Sequence, residues 1–368
     1  MKNKILSIIT SKLFIVIVLV ILFKIITLYP ELIEKYYSNG IYFYISNLLR
    51  MVFGIFGISI GDLLIFILII YMIFKTYKYL KHQEKNFRKD IINFFESVLM
   101  IFLLFNIVWG FNYYRVPLDK KLNLETSYSK ESLLLFTEKL ILHTNKIHRK
   151  ITKNNDSIVI NHNLETNMYR NAVNDYKNIA LDYPNFYFSN QSSKSSLWSI
   201  WLSITGFGGY YNPFTGEIQV NTLQPNYDMP ALLCHEMAHQ IGYASESEAN
   251  FIAVLTTLKS DNLLTHYAGC SYLLKYCLNN IDPKDKEILK EKINLGILKN
   301  YQQDKLHQEK YSTFLAPIMK GIYNNFLILN NQEDGLDEYN HFLGMIISLN
   351  EKENILLKPK TKRKLKNK

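Results

Sequence analysis

The sequence predicts a mainly α-helical protein, in which three N-terminal transmembrane helices precede an α+β domain with a small β-hairpin or sheet. Three observations predict this fold class. Residues 1–115 contain three long apolar runs, whereas the rest of the chain is polar with apolar residues at helical spacing. Residues 206–221 instead combine turn residues with the alternation typical of a half-exposed strand. The 368 residues are enough for a membrane segment and one globular domain of ordinary size.

The apolar runs are each predicted to be a transmembrane helix, and they lie at about residues 13–29, 52–74 and 91–111. The first follows several lysines, as a signal peptide does, but the chain continues into Tyr29-Pro30-Glu31 without a small-residue cleavage site. We therefore expect an uncleaved anchor. Asp62 and Glu96 fall within the second and third runs. We expect structural roles for both, although charged residues in membrane segments are often functional.

Basic residues predict the orientation of these helices. The N-terminus is basic, and more basic residues crowd between the second and third runs, at Lys75, Lys78, Lys81, Lys85, Arg88 and Lys89. The positive-inside rule places both segments in the cytoplasm. Three crossings then leave everything after Arg115 outside it. The sequence thus predicts a multi-pass protein of the cell membrane, with a cytoplasmic N-terminus and an extracytoplasmic domain.

The charge distribution and the apolar runs divide the chain into three parts. We predict a membrane domain at 1–115, a second domain at 116–351 and a basic tail at 352–368. The net charge of +10 comes largely from the predicted cytoplasmic loop and from this tail. Such a run of like charges is usually solvated. Because the tail is expected outside the cytoplasm, it would attract anionic lipid or wall polymer, and we predict no nucleic-acid partner.

Two stretches of the second domain, residues 132–151 and 164–181, have apolar residues at helical spacing and are predicted to be amphipathic helices. His143 and His148 lie on the first of them. They are five residues apart and do not share a helix face, so we predict that both are solvated and that neither binds a metal. The cysteines form no C-x-x-C pair and imply no disulfide framework.

The predicted hairpin occupies residues 206–221. Pro213 and Gly216 mark its turn, and residues 217–221 alternate polar with apolar as a strand does. The stretch has neither a G-x-G-x-x-G pattern nor the lysine of a phosphate-binding loop. An exposed strand here can bind an extended peptide by adding it to the sheet. An ordinary surface hairpin is an alternative of equal weight.

The most specific pattern is the H-E-x-x-H motif that runs from His235 to His239. On a helix both imidazoles lie on one face and can bind the same metal ion, while Glu236 projects beside them towards a water. The surrounding residues are apolar, so the polar trio would be buried, and buried charge is costly unless it is paired or metal-bound. We therefore predict a Zn²⁺ site and not a chance pair on a solvated surface. Asp228 is predicted to cap this helix and Pro230 to lie in its first turn.

A catalytic zinc normally has three protein ligands and one open position, so a third ligand is expected downstream. Gly242 suits the end of the first helix, and the segment from Ser245 to Glu248 reads as a capping box that begins another. In that box Glu248 would bond the backbone of Ser245. Glu246 in the first turn would then be free, so we predict Glu246 over Glu248 as the third ligand.

These residues resemble a known signature. The segment from Glu246 to Asn250 is similar to the E-x-x-A-D/N sequence of gluzincin metallopeptidases, although many of those have Asp where this chain has Asn250. The resemblance implies that Glu246 binds zinc and that Asn250 supports a ligating histidine. The gap from His239 to Glu246 is shorter than in most gluzincins. It is closer to the metzincin pattern, but Ser245 stands where metzincins have their last histidine.

A broader resemblance covers most of the chain. Its segments Ser59 to Asp62, Trp109 to Arg115 and His235 to Phe251 are similar to those of an uncharacterised bacterial family of membrane-anchored proteins, domain-of-unknown-function family 3810. That family pairs three N-terminal transmembrane helices with an H-E-x-x-H motif. The resemblance implies a zincin-like peptidase and gives no substrate.

The predicted function is a membrane-anchored zinc-dependent peptidase that hydrolyses peptide bonds at the extracytoplasmic face. His235, His239 and Glu246 would bind Zn²⁺, and Glu236 would act as general base and then protonate the leaving amine. The oxyanion partner is left open among His266, Tyr267, Tyr243 and Tyr210. The expected partners are a peptide or protein substrate and the lipid bilayer. The alternative is a non-catalytic metal-binding protein of envelope assembly or sensing.

Overall fold

The computed structural model describes residues 12–81, 87–161, 165–332 and 339–356. Within these ranges the protein is mainly helical, as predicted, and contains one small sheet. A 3₁₀ turn, Gly110–Tyr114, leads out of the N-terminal part. The helices before this turn are α1 (Lys12–Ile26), α2 (Pro30–Phe53), α3 (Ile60–Lys81) and α4 (Phe87–Val108).

Most of the remaining helices pack around one large apolar core. The stretches predicted as amphipathic helices correspond to the second and third of them. In chain order the remaining helices are α5 (Leu118–Leu122), α6 (Lys130–Thr152), α7 (Glu165–Ile179), α8 (Ser199–Thr205), α9 (Met229–Gln240), α10 (Glu246–Leu258), α11 (Leu263–Asn279), α12 (Pro283–Lys290), α13 (Leu295–Tyr311), α14 (Leu315–Leu329) and α15 (Tyr339–Glu353). Of these, α8 and α14 contribute no buried residue to the large core.

Two helices of the described chain are long and apolar enough to cross a membrane. They are α3, with 22 residues, and the 19-residue stretch Asp90–Val108 of α4. The predicted second span, 52–74, begins too early because residues 54–59 form an apolar turn between α2 and α3 that hydropathy cannot tell from a helix. The predicted third span, 91–111, agrees with α4 except at its end.

The first predicted span, 13–29, is not a clear transmembrane helix. The described part of helix α1, Lys12–Ile26, is apolar enough to span a membrane only when it is taken together with α2. It stops before Pro30, which lacks an N–H and disfavours a helical backbone at Tyr29. Helix α2 then leaves at 97° to α1. The pair is a broken span or a re-entrant loop, so two to three segments of the described chain could cross a membrane, and not a definite three.

The membrane segment is joined to the rest of the protein by a small aromatic core. Tyr42 of α2 packs against Trp109 at the end of α4, with ring centroids 5.7 Å apart. Ala244, which follows α9, and Leu327 of α14 belong to the same cluster. The N-terminal helices are therefore packed directly onto α14 and onto the turn that follows α9, the helix of the H-E-x-x-H motif.

The sheet has three strands in the order β1 (Ser193–Ser195), β3 (Glu217–Val220) and β2 (Gly209–Asn212). The predicted hairpin is the antiparallel pair β2–β3, and β1 lies parallel to β3 on its other side. All four residues of β3 are buried, so the prediction that this strand is half exposed is wrong. Its polar residues face α3, where Glu217 accepts from the Gly61 N–H at 2.6 Å. Strands β1 and β2 form the two edges of the sheet.

Two further predictions fall partly outside the described residues. Residues 357–368 of the predicted basic tail lie there, as does Lys85 of the predicted cytoplasmic loop. The prediction that His148 is solvated can be judged, and it is wrong. His148 is fully buried, and its Nε2 lies 2.9 Å from the Ser157 carbonyl oxygen. Gly296 of α13 packs against the ring, and this long-range contact is not visible in the spacing along α6.

Candidate metal centre

A tight turn between α9 and α10 shapes the candidate metal centre. Gly242 has φ of +90°, and a side chain there would meet the Tyr42 ring at 2.9 Å, so this position requires glycine. The chain then reverses, and Ser245 caps α10 by accepting from the Glu248 N–H. As a result Glu246, the first residue of α10, lies against the motif helix α9.

The turn brings the three predicted ligands together. Nε2 of His235 and Nε2 of His239 are 3.2 Å apart. The carboxylate oxygens of Glu246 lie 3.2 Å from His235 Nε2 and 3.6 Å from His239 Nε2. Two ligands about 2.1 Å from a tetrahedral ion are roughly 3.4 Å apart. The separations therefore suit one small cation, and the donor set of two imidazoles and a carboxylate suits zinc.

Neighbouring groups orient the two imidazoles. His239 Nδ1 lies 2.7 Å from the Tyr243 carbonyl oxygen, which can only accept, so the ring donates from Nδ1 and leaves the Nε2 lone pair for a metal. His235 Nδ1 and Asn250 Nδ2 are buried and have no hydrogen-bond partner among the described residues. Asn250 is close enough to His235 to affect its pKa. The Asn250 amide is thus placed to orient His235, as the gluzincin resemblance implies.

The charges of the site suit cation binding. Burial lowers the pKa of His239 to about 4, so this imidazole is neutral at pH 7. Burial opposes ionisation of Glu246, but the two histidines and Tyr323 lower the pKa of its carboxyl to about 2. Burial would also lower the pKa of His235, yet the carboxylate of Glu246 raises it to about 8. A bound metal ion would replace the proton that this raised pKa keeps on His235, because only a neutral imidazole can bind a metal.

Glu236 is buried beside the cluster. Its burial, with a contribution from Glu246, raises its pKa to about 7, while His235 opposes the shift. A carboxyl group with this pKa can accept and release a proton near neutral pH, as a general base must. Strand β2 passes directly beside it, because a side chain on Gly209 would come within 3.0 Å of Glu236 Oε1.

A cavity of about 730 Å³ opens onto His235, Glu236, His239 and Glu246. Its wall is assembled from distant parts of the chain. Phe105 and Trp109 at the end of α4, the strand β2, and the helices α9, α11 and α14 all contribute. The membrane segment therefore forms part of the candidate site.

The sequence analysis missed a cavity residue that bonds a predicted ligand. Tyr323 of α14 donates a 2.5 Å hydrogen bond to Glu246 Oε1 and lines the cavity. No local pattern marks it, because α14 reads only as an amphipathic helix. Of the four predicted oxyanion candidates, only Tyr210 lines the cavity.

The other three candidates have partners elsewhere. His266 pairs with His143, Tyr267 donates to Asn300, and Tyr243 packs against Arg115. Tyr210 itself donates to the buried Asp62. Asp62 also accepts from the Leu197 N–H. These contacts agree with the structural role expected for Asp62.

Side chains from outside the motif hold the C-terminal end of α9. Tyr42 and Arg50 of α2 both donate to the Gln240 carbonyl oxygen, at 3.0 and 2.8 Å. Arg115 donates to the Gly242 carbonyl oxygen at 2.8 Å and pairs with Glu34. Cations suit this end of a helix, where unpaired carbonyls carry partial negative charge. A buried arginine requires such partners. Arginines close to apolar segments were therefore the signal in the sequence that could have indicated these contacts.

The predicted capping role of Glu248 is met only in part. The Ser245 hydroxyl accepts from the Glu248 N–H, as in a capping box. The Glu248 carboxylate, however, accepts from the Leu118 N–H at 2.6 Å and so anchors the start of α5. It does not belong to the group formed by His235, His239 and Glu246.

Comparison with known proteins gives one match. A family model described as a protein of unknown function (DUF3810) matches residues 37–347, which include the candidate metal centre and the helices that support it. No curated protein and no solved structure matches the chain.

Proposed function

The chain belongs to the DUF3810 family, whose function is unknown, and we propose that it is a membrane-anchored zinc-dependent peptidase. The observation that carries the proposal is the convergence of ligand atoms from His235, His239 and Glu246 beside the buried carboxyl of Glu236. Three protein ligands facing an open cavity are typical of catalytic zinc sites.

The roles of the protein's own residues follow from their positions. When bound, Zn²⁺ supplies Lewis-acid activation of water and of the scissile carbonyl. Glu236 takes the proton of the attacking water and returns it to the leaving amine, for which its raised pKa is suited. The free edge of β2 runs beside Glu236 and can bind an extended peptide by strand addition. Tyr323 is the candidate to stabilise the oxyanion, because it lines the cavity and its hydroxyl lies on the ligand carboxylate of Glu246.

The proposed site lies on the extracytoplasmic side. The basic loop between α3 and α4 favours the cytoplasm, which places the end of α4 and everything after it outside. This assignment holds whether α1 and α2 form a broken span or a re-entrant loop. The location of the N-terminus does depend on that choice, and the cytoplasmic N-terminus requires the broken span.

The ligand assignment is tested by the zinc content of the full-length protein in detergent. We expect Glu246→Gln to bind one equivalent of zinc fewer than the wild type, and Glu248→Gln to bind as much as the wild type. Glu248 is the matched control because it is a largely buried glutamate of the same helical turn that lies outside the ligand group. The same zinc content in Glu246→Gln as in the wild type, or no zinc in the wild type, would contradict the assignment.

The catalytic assignment is tested with a mixed peptide pool. Glu236→Gln removes the base but no ligand, so we expect full zinc content and a hydrolysis rate lower by about 10²–10⁴-fold. Undiminished turnover in this variant would exclude Glu236 as the base. A wild type that binds zinc but cleaves no peptide would favour the non-catalytic alternative.

A further inference from the structure

A second group of metal-ligating side chains lies between α6 and α11. His266 and Cys270 are four residues apart on α11 and share one face, which meets His143 of α6. The Nε2 atoms of the two histidines are 2.8 Å apart. One ligand atom from each of the three residues lies within 4.8 Å of the others. The prediction that His143 is solvated is therefore wrong.

The chemistry of this group suits a borderline or soft metal. Imidazole and thiolate are preferred ligands of Zn²⁺. Burial, with Lys146 and Lys150, lowers the pKa of His143 and keeps its ring in the neutral form that ligates. Burial raises the pKa of the Cys270 thiol, so a cation is needed to make it release its proton.

We propose that His143, His266 and Cys270 form a second Zn²⁺ site, separate from the candidate centre on α9 and α10. The ion would link α6 to α11, two helices whose packing forms much of the apolar core. The face of α11 that carries Tyr272 and Tyr276 lines the candidate catalytic cavity. The second site would thus fix the helix that supports the cavity wall, without lying in it.

Cobalt substitution tests this proposal without reference to activity. Thiolate bound to Co²⁺ gives a charge-transfer band in the near ultraviolet, which the sulfur-free centre of His235, His239 and Glu246 cannot produce. We expect the band in the reduced full-length protein, in Glu246→Gln and in Cys277→Ser, and its loss in Cys270→Ser. Cys277 is the matched control, since it is a fully buried cysteine of the same helix outside the group.

The half-buried His143 provides a second variant in case Cys270→Ser does not fold. His143→Asn should abolish or markedly weaken the band while leaving the helical circular dichroism unchanged. Absence of the band from the wild type, or its persistence in both variants, would overturn the proposal. Either result would mean that the imidazoles of His143 and His266 form a hydrogen bond and bind no metal.

A different observation carries a second inference, which rests on the proposed function. Helix α14 exposes an apolar face, in which Phe314 and Leu329 are each 76 % exposed and Ile322 is 57 % exposed. Only Leu327 of this helix is buried. Helix α8 packs against α14 and exposes Ile200 at 64 %. Such apolar faces on short helices are typical of segments that lie in a membrane interface.

These faces continue the apolar surface of the candidate spans. Phe326 of α14 packs against Phe105 of α4, with ring centroids 6.1 Å apart. The ring centroids of Trp198, just before α8, and Phe66 of α3 are 6.2 Å apart. The candidate catalytic cavity lies between α4 and α14 and is lined by residues of both. We infer that α8 and α14 rest in the lipid interface and that the cavity accepts membrane-attached polypeptide substrates.

Spin labels test the lipid contact independently of catalysis. We would place a label at Ile318→Cys, in the exposed face of α14, and at Ile288→Cys on α12. The two isoleucines are 51 % and 50 % exposed, and the native cysteines are buried. In phosphatidylcholine vesicles, oxygen, which concentrates in lipid, should relax the label at position 318. A water-soluble nickel complex should instead relax the label at position 288. Water-like accessibility at position 318 would overturn the inference.

The substrate class is tested with one cleavable peptide in two forms. Vesicle-bound protein should hydrolyse the acylated peptide at least tenfold faster, in kcat/KM, than the same peptide without its acyl chain. Equal rates would refute the substrate class while leaving the peptidase proposal intact. Absence of cleavage of both forms, with a lipid-exposed label at 318, would refute the peptidase proposal instead and remove the basis for the substrate class.

Discussion

Gly242 is the single residue on which the geometry of the candidate centre most depends. Its positive φ ends α9, and the absence of a side chain lets the Tyr42 ring approach the backbone. Tyr42 in turn donates to the carbonyl of Gln240. The same glycine therefore turns Glu246 back towards the histidines and makes room for the membrane segment that supports them.

Tyr323 provides a residue-scale prediction. Its hydroxyl lies in the cavity on a ligand carboxylate, so Tyr323→Phe should retain zinc but lower kcat, by about 10²-fold if the hydroxyl is the oxyanion donor. Steady-state kinetics on a peptide substrate, with zinc analysis of the same sample, would measure both.

The control for this variant is Tyr276→Phe, another cavity tyrosine, whose hydroxyl pairs with that of Tyr272. It should leave kcat within about twofold of the wild type, because no ligand carboxylate loses a hydrogen bond. A Tyr323→Phe enzyme as active as this control would show that Tyr323 only positions Glu246.

At the scale of elements, the N-terminus of α9 is held differently from the expectation. Asp228 occupies the N-cap position, but its side chain makes no capping hydrogen bond. Its carboxylate instead pairs with Lys275 of α11, which also pairs with Asp304 of α13 at 2.9 Å. A buried lysine between two carboxylates is a stronger partner for Asp228 than a backbone N–H. The ion group thus ties three helices together behind the motif helix.

Removal of this lysine should destabilise the protein. Lys275→Met leaves two largely buried carboxylates without their cation, which costs about 3–5 kcal/mol of unfolding free energy. Chemical unfolding in detergent, followed by circular dichroism, would measure the loss.

Lys290→Met is the matched control for this variant. Lys290 pairs with Glu287 on the surface of α12, and exposed ion pairs contribute only about 0–1 kcal/mol. Equal stability of the two variants would mean that Asp228 and Asp304 are not buried as charges.

At the scale of the whole molecule, the membrane segment and the second domain are not independent. Donors from Tyr42, Arg50 and Arg115 hold the end of α9. The backbone at the start of α3 holds the buried carboxylate of Glu217 in the central strand. Residues before and after 115 therefore complete the same site, although hydropathy divides the chain there.

Because residues before 116 supply these hydrogen-bond donors, the behaviour of a fragment that begins at Val116 can be predicted. The fragment lacks the donors that hold α9 and β3, and each buried polar group left unpaired costs about 1–3 kcal/mol. The three groups are the carbonyls of Gln240 and Gly242 and the carboxylate of Glu217, and three such losses are comparable with a total stability of about 5–15 kcal/mol. We expect the fragment to aggregate or to lack stable structure, and to bind no stoichiometric zinc.

Size-exclusion chromatography, circular dichroism and zinc analysis of the fragment beside the full chain would test this expectation. A folded, monomeric fragment with the zinc content of the full chain would show that the membrane segment is only an anchor.

Local patterns were sufficient to predict which residues meet at the candidate centre. The spacing of His235 and His239 follows from the helical repeat, and Glu246 follows from one turn marked by glycine and a capping serine. These relations involve residues close together in the chain, so composition and spacing carry them. The mainly helical architecture and the hairpin were accessible for the same reason, since periodicity is a local property.

Long-range packing provided what the local patterns could not. Tyr323 reaches Glu246 from 77 residues away, and Tyr42 and Arg115 reach the end of α9 from more than 100 residues away. No spacing rule relates such positions, because their contact depends on how whole helices cross. The break between α1 and α2, the burial of β3 and the meeting of His143 with His266 have the same origin: burial is set by what covers an element, and the covering element lies elsewhere in the sequence.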